Sequence, residues 1–310
     1  MVTMENGIFR SVTGQKLDRR LWKGEGTPKA VIQLVHGMAE HIDRYDAPAR
    51  ALAEAGFVVV GHTHLGHGGK ADTLGHFGKE HGWQNLIDDV HSLRLATQSY
   101  YPGVPYFILG HSMGSFVTRC YLMEHSEGLA GAMLSGTGYF SHGKVTAGLT
   151  VSNLVCLFGG AEKPSPLINK LAFSSSNKAF APARTDFDWL TRRNDVVDQY
   201  MDDPFCGFLF TGAGYRDMFR GLRRLNHVKD LSLVRKDLPI LLFSGDHDPV
   251  GAMGTGVNKV AQQFRDAGVK DVTVKLYEGG RHEMFNEENA AEVYADVAAW
   301  VNAHLPKASV

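Results

Sequence analysis

The sequence predicts an α/β fold, with a mostly parallel central sheet flanked by helices and a helical segment inserted between two strands. Three observations predict it. Short apolar, β-rich runs alternate with segments whose apolar residues repeat at helical spacing, the rhythm of strand–helix–strand units. The runs are apolar almost throughout, as strands covered on both faces must be. The alternation lapses near Gly138 and resumes at Pro239. A chain of 310 residues, 44% hydrophobic and 21% charged, can bury a large core and still carry such an insertion. The expected division is a core of residues 1–137 and 238–310, with an inserted, mostly helical lid at 138–237.

In order, Gly7–Val12 and Leu17–Trp22 are extended runs around Thr13-Gly14-Gln15, a hairpin for the sheet edge. Ala30–His36 (AVIQLVH) reads as a buried parallel strand. A helix from about Tyr45 to Ala55 follows, closed by Gly56 where a C-terminal cap favours glycine, and Phe57–Val60 restarts as a strand. After a Gly/His-rich loop from Gly61 to Gly82, Gln84–Tyr100 repeats Leu86, Ile87, Val90, Leu93 and Leu95 with helical spacing, and Pro102 ends it. Tyr106–Leu109 is the next strand. The segment after it carries Phe116, Val117, Cys120, Tyr121 and Met123 on a helix, and Leu129–Leu134 is another buried strand. The insertion offers short helix-like pieces, Pro/Ser joints at Lys163–Pro166 and Ser174–Ser176, and many aromatics. Pro239–Ser244, a helix over Val257–Ala267, Val272–Tyr277 and a last helix over Glu288–His304 complete the chain.

Composition excludes several functions. Thirty-two basic against 33 acidic residues, without long blocks of one sign, give no electrostatic reason for a nucleic-acid or anionic-membrane partner. The N-terminus lacks an apolar stretch of signal-peptide length, and Ala147–Phe158 is too short to span a bilayer. A cytoplasmic protein without an integral membrane segment is expected. Cys120, Cys156 and Cys206 fit neither a disulfide framework nor a CxxC site and read as buried thiols. Gly212-Ala213-Gly214 and Gly251–Gly256 complete no phosphate-binding signature, so no cofactor is expected. His62, His64, His67, His76 and His81 lack acidic or cysteine partners at ligand spacing, so no metal is expected.

Ligands of parallel sheets bind beyond the carboxyl ends of the strands, and the loops there hold a coherent set. Gly110-His111-Ser112-Met113-Gly114 lies between a strand and a helix, the setting of a nucleophile elbow. Asp246 and Asp248 follow the strand PILLFS, and His282 follows VTVKLY. A serine hydroxyl needs a neutral imidazole to take its proton, and the imidazole needs a carboxylate on its other nitrogen. The oxyanion that then forms needs preorganised donors, for which the amides of Met38 and Met113 are placed. Taken alone, Ser112 would equally serve as a helix N-cap. The matching Asp and His loops argue for chemistry.

These residues resemble the α/β-hydrolase superfamily, within it the branch of monoacylglycerol lipases, lysophospholipases and S33-type serine aminopeptidases. His36–His41 with Arg44-Tyr45 is similar to the HGxxEHxxRY of that branch, and Gly66-His67-Gly68 to its GHG loop. Gly110–Gly114 is similar to GHSMG, Gly245–Val250 to the GxxDxxV acid loop, and Arg281-His282-Glu283 to the histidine loop. Thr63 departs from the pattern, standing where the branch usually has Asp. The resemblance covers nearly the whole chain and implies an α/β-hydrolase fold with a helical lid. It also implies that the acid is Asp248 and not Asp246.

The expected function is cleavage of carboxylic esters through an acyl-enzyme, with Ser112, His282 and Asp248 catalytic and Met38 and Met113 forming the oxyanion hole. His36, Gly37, Glu40, His111, Phe205 and Phe208 are the expected substrate-binding residues. By the resemblance and the apolar stretches Leu154–Phe158 and Phe205–Phe210, the substrate is a small ester or lipid, with transient lipid-surface contact through the lid. Two alternatives stand beside it. An aminopeptidase would recruit Glu40, Glu283, Asp202 or Asp203 for a substrate ammonium, and a pseudoenzyme would bind a ligand without turning it over.

Overall fold

The structure, a computed structural model, describes residues 1–306. Eight strands form one sheet: β1 (Thr3–Arg10), β2 (Lys16–Lys23), β3 (Val31–Val35), β4 (Val58–His62), β5 (Tyr106–His111), β6 (Gly131–Ser135), β7 (Ile240–Gly245) and β8 (Val272–Tyr277). Their spatial order is β1-β2-β4-β3-β5-β6-β7-β8. β1 and β2 pair antiparallel, β2 joins β4 antiparallel, and the remaining pairs are parallel. Every residue of β3 to β7 is buried, because successive side chains enter cores on opposite faces. Val31, Val58 and Ile108 join one cluster with α2 (Gly82–Tyr100), α3 (Met113–His125) and α9 (Thr255–Asp266). Ile32, Val59 and Phe107 join the other with α1 (Asp46–Glu54) and α10 (Ala290–Ala303). Both faces are covered, which is why the strands read as continuous apolar runs.

The hairpin is shifted from its expected place. Ser11 and Val12 belong to the turn, where Gly14 at φ 87° lets its amide reach Ser11 O at 2.8 Å, so β1 lies nearer the N-terminus than Gly7–Val12. Gly56 caps as expected, at φ 96°, with its amide on Ala53 O and that of Phe57 on Leu52 O. The chain enters α1 through a 3₁₀ turn, Ile42–Tyr45, ahead of the expected start.

Between β6 and β7 the chain forms α4 (His142–Val155), α5 (Pro166–Phe173), α6 (Asn194–Asp202), α7 (Gly212–Arg224) and α8 (Val228–Leu231), with no strand among the described residues. α4 and α7, at 14 and 13 residues, are longer than the short pieces expected. Each has a hydroxyl N-cap: Ser141 accepts from Lys144 N at 3.4 Å and Thr211 from Gly214 N at 3.1 Å. Gly148 permits close packing of α4 on Phe219 of α7. Cys120 and Cys206 are buried as expected, whereas Cys156 is half-buried, because it lies where α4 widens into a turn on the outer surface beside the exposed Leu157 and Phe158. No helix among the described residues is long and apolar enough to cross a membrane.

Candidate active site

The carboxyl ends of β3, β5, β7 and β8 open on one rim, and the four loops singled out in the sequence meet there. β5 ends at His111 and α3 begins at Met113, so Ser112 occupies the bend between them, at φ 51° and ψ −120°. This is a costly conformation for a residue with a Cβ, and it turns the hydroxyl outward. The flanking glycines are obligatory. A Cβ on Gly114 would collide with Val35 O, and one on Gly110 with the backbone of Gly114.

Ser112 Oγ lies 2.8 Å from His282 Nε2, and His282 Nδ1 lies 3.0 Å from Asp248 Oδ1. Asp248 is fully buried and also accepts from Ser244 Oγ and Val250 N, both at 2.8 Å. Asp246 instead faces the next turn, accepting from Gly279 N at 2.8 Å and contacting His247 Nδ1 at 2.6 Å. Only Asp248 reaches the imidazole. Burial disfavours the charged form of both partners, but mutual attraction outweighs it: His282 is raised above 6.5, with further help from Glu283 and Glu40, and Asp248 is lowered below 3.8.

The amides of Met38 and Met113 donate to no acceptor among the described residues, and Met113 N stands at the positive end of α3. The Met38 loop is held from behind by three buried histidines. His36 Nδ1 donates to Gly37 O at 2.8 Å and its Nε2 accepts from His64 N at 2.9 Å, while His64 Nε2 donates to His36 O at 3.2 Å. His67 Nδ1 donates to Leu65 O at 2.9 Å and its Nε2 accepts from Ala39 N at 3.2 Å. Burial keeps all three neutral, His36 and His64 well below 6.5 and His67 at about 4. Ala39, at φ 51°, presents its carbonyl to Tyr200 Oη and Gly207 N, each at 3.0 Å. Thr63 also joins this loop, its Oγ1 accepting from Ile42 N at 3.4 Å.

The other residues expected to bind substrate are similarly occupied. Glu40 Oε1 accepts from Gly37 N at 2.5 Å and Tyr45 Oη at 2.8 Å, and its Oε2 from Arg44 at 2.7 Å. Arg44 also grips Glu283 with two bonds, 2.8 and 2.7 Å, so one guanidinium ties the Met38 loop to the loop of His282. Neither carboxylate is left for a substrate ammonium. Asp203 contacts His41 Nε2 at 2.8 Å, and Asp202 is exposed at the end of α6. His111 lies 3.2 Å from Ser135 Oγ, with its ring 4.9 Å from that of His282. Phe208 packs against His67 and Phe210, and Phe205 against Gly69 and His41. Sequence reasoning missed Trp189, whose ring is 5.0 Å from that of His282. It also missed the bridging role of Arg44, although the HGxxEHxxRY pattern contains that residue.

Residues 26–289 match the family model described as serine aminopeptidase, S33. The chain belongs to the S33 family. The proteins it is similar to include lipases and esterases. It is 27% identical to the monoacylglycerol lipase of Mycolicibacterium smegmatis, over 98% of this chain and 99% of that one. It is 31% identical to the monoglyceride lipase of Mus musculus, over 95% of this chain and 89% of that one. A crystal structure of a highly thermostable carboxyl esterase from Bacillus coagulans, in complex with glycerol, superposes with a TM-score of 0.91 at 28% identity, covering 98% and 99% of the two chains. This member of the S33 family therefore has the α/β-hydrolase fold.

Proposed function

We propose that this chain is a serine hydrolase of carboxylic esters whose substrates are monoacylglycerols or closely related lipid esters. One observation carries the reading: the hydrogen-bonded chain Ser112–His282–Asp248, at 2.8 and 3.0 Å, in a protein whose relatives are monoacylglycerol lipases. Ser112 Oγ attacks the ester carbonyl as His282 Nε2 takes its proton. Asp248 holds the tautomer that leaves Nε2 free and steadies the imidazolium. The amides of Met38 and Met113 receive the oxyanion, a donor of this kind being worth about 3 kcal/mol of barrier. His282 then protonates the departing alcohol and deprotonates the water that releases the acid. The ester reading is favoured over the aminopeptidase one because Glu40 and Glu283 are both already engaged by Arg44.

In the same reading residues 138–237 are a lid over a core formed by 1–137 and 238–310. The exposed Leu157 and Phe158 are its contact with a lipid surface, which co-sedimentation with vesicles tests. Unpaired cysteines suit a cytoplasmic setting, which fractionation tests. The central experiment is labelling with a fluorophosphonate probe: native protein reacts and Ser112→Ala does not. Equal labelling of the two, or no labelling of either, sinks the proposal. Turnover of monoacylglycerols against aminoacyl arylamides decides between ester and amide.

A further inference from the structure

We propose that His41, Asp203 and Cys206 form a binding site for a zinc-class divalent cation, which fastens the lid to the loop carrying Met38. His41 Nε2 or Nδ1, a carboxylate oxygen of Asp203 and Cys206 Sγ lie within 4.8 Å of one another. The residues come from two regions that the fold brings together. His41 follows Met38 by three positions, and Asp203 and Cys206 flank the turn after α6, whose Gly207 amide donates to Ala39 O at 3.0 Å.

Each donor is available. Cys206 is only 9% exposed, faces the His41–Asp203 pair, and its thiol has no hydrogen-bond partner among the described residues. Asp203 uses Oδ1 to accept from Phe205 N at 2.8 Å, which leaves Oδ2 pointing at His41 Nε2, 2.8 Å away. The other nitrogen of His41 lies 3.6 Å from Asp43 Oδ2, and Asp43 is itself held by Arg20 at 2.6 and 3.0 Å. A carboxylate behind the imidazole is the usual support of a metal-binding histidine.

Imidazole, carboxylate and thiolate with one water make a tetrahedral set for zinc, while calcium and magnesium require oxygen donors. Zinc ligands sit about 3.3 Å apart, so the His41–Asp203 contact need open by only about half an ångström. The cation displaces the proton shared by that pair and the thiol proton, both passing to solvent, with no change in oxidation state. The second convergent group, Asp88, Glu124 and His125, is poorer, because Glu124 is already paired with Arg224 and no sulfur is present. It serves as the control.

The test is titration of the intact, chelator-stripped protein with Co²⁺, read by the thiolate-to-cobalt charge-transfer band in the near ultraviolet. One equivalent should produce the band and Zn²⁺ should erase it. Cys206→Ser should abolish it, Asp43→Asn should weaken binding about tenfold, and His125→Gln should leave it unchanged. Asp203→Asn should also abolish it and provides the reading if Cys206→Ser does not fold. No band, a band surviving in Cys206→Ser, or its loss in His125→Gln overturns the proposal. A consequence that rests on the hydrolase reading is that Zn²⁺ slows ester turnover by native protein but not by Cys206→Ser. The cobalt band does not depend on turnover, so the two readings fail separately.

Discussion

Two sets of histidines lie at the same rim of the sheet, equally buried, and their protons behave in opposite ways. His282 is 2% exposed and raised above 6.5 because a buried carboxylate faces its Nδ1 at 3.0 Å. His36, His64 and His67 are 0% exposed and lowered, because burial and the neighbouring histidines disfavour the cation and their bonds to backbone groups do not offset this. Burial alone therefore does not make a histidine structural or catalytic. The group opposite the ring decides, a carboxylate paying the desolvation that a peptide dipole cannot.

The largest test of this contrast is His282→Gln, expected to lower kcat about a millionfold in a protein that still unfolds cooperatively. A loss below a hundredfold would mean that the ring is only scaffolding. Next is Asp248→Asn, expected to cost about 10⁴-fold in kcat. His282 must be neutral to accept a proton, so kcat/KM falls as pH drops through its raised pKa, and the acid limb lies above 6.5. With Asp248 neutralised, burial prevails and the limb moves to lower pH. A limb that stays in place would separate Asp248 from the base.

The structural histidines give the third effect, on stability. A histidine lowered in the fold contributes stability that is present above its unfolded value of 6.5 and is lost as pH falls through its folded one. For His67, with a folded value of about 4, the loss reaches about 3 kcal/mol by pH 4. His282 has the opposite sign, its contribution being full below 6.5 and lost as pH rises through the raised value. Urea unfolding between pH 4 and 7 should show stability falling toward acid, with a shallower slope in His67→Phe. An unchanged slope would mean that His67 is protonated in the fold.

How much of this was legible in the sequence follows from the range of the interactions. β3 to β7 are covered on both faces, so their composition alone disclosed them, and the loops after β5, β7 and β8 bore the right residue types in the right order. The choice between Asp246 and Asp248 was not legible by spacing, since both follow β7 and only the turn geometry aims one at His282. α4 was understated because Gly143, Gly148, Thr146 and Thr150 are poor helix formers, and its packing on α7 supplies what propensity lacks. The convergence of His41 with Asp203, 162 positions later, leaves no periodic trace, nor does Trp189 against His282.

The smallest predicted effect tests the contrast at its closest range. His111 adjoins the nucleophile and its ring is 4.9 Å from that of His282, yet it meets no carboxylate, contacts Ser135 Oγ at 3.2 Å, and is pushed by burial down to about 3. A ring that stays neutral through the working range carries no proton for the reaction. His111→Asn should therefore lower kcat less than about tenfold, or 1.4 kcal/mol, and leave the acid limb of the pH profile in place. Measuring that limb separates packing from proton transfer, because a packing defect lowers the plateau without moving the inflection. A displaced limb, or a loss approaching that of Asp248→Asn, would show that the two rings share the proton and that proximity to the serine matters as much as the carboxylate.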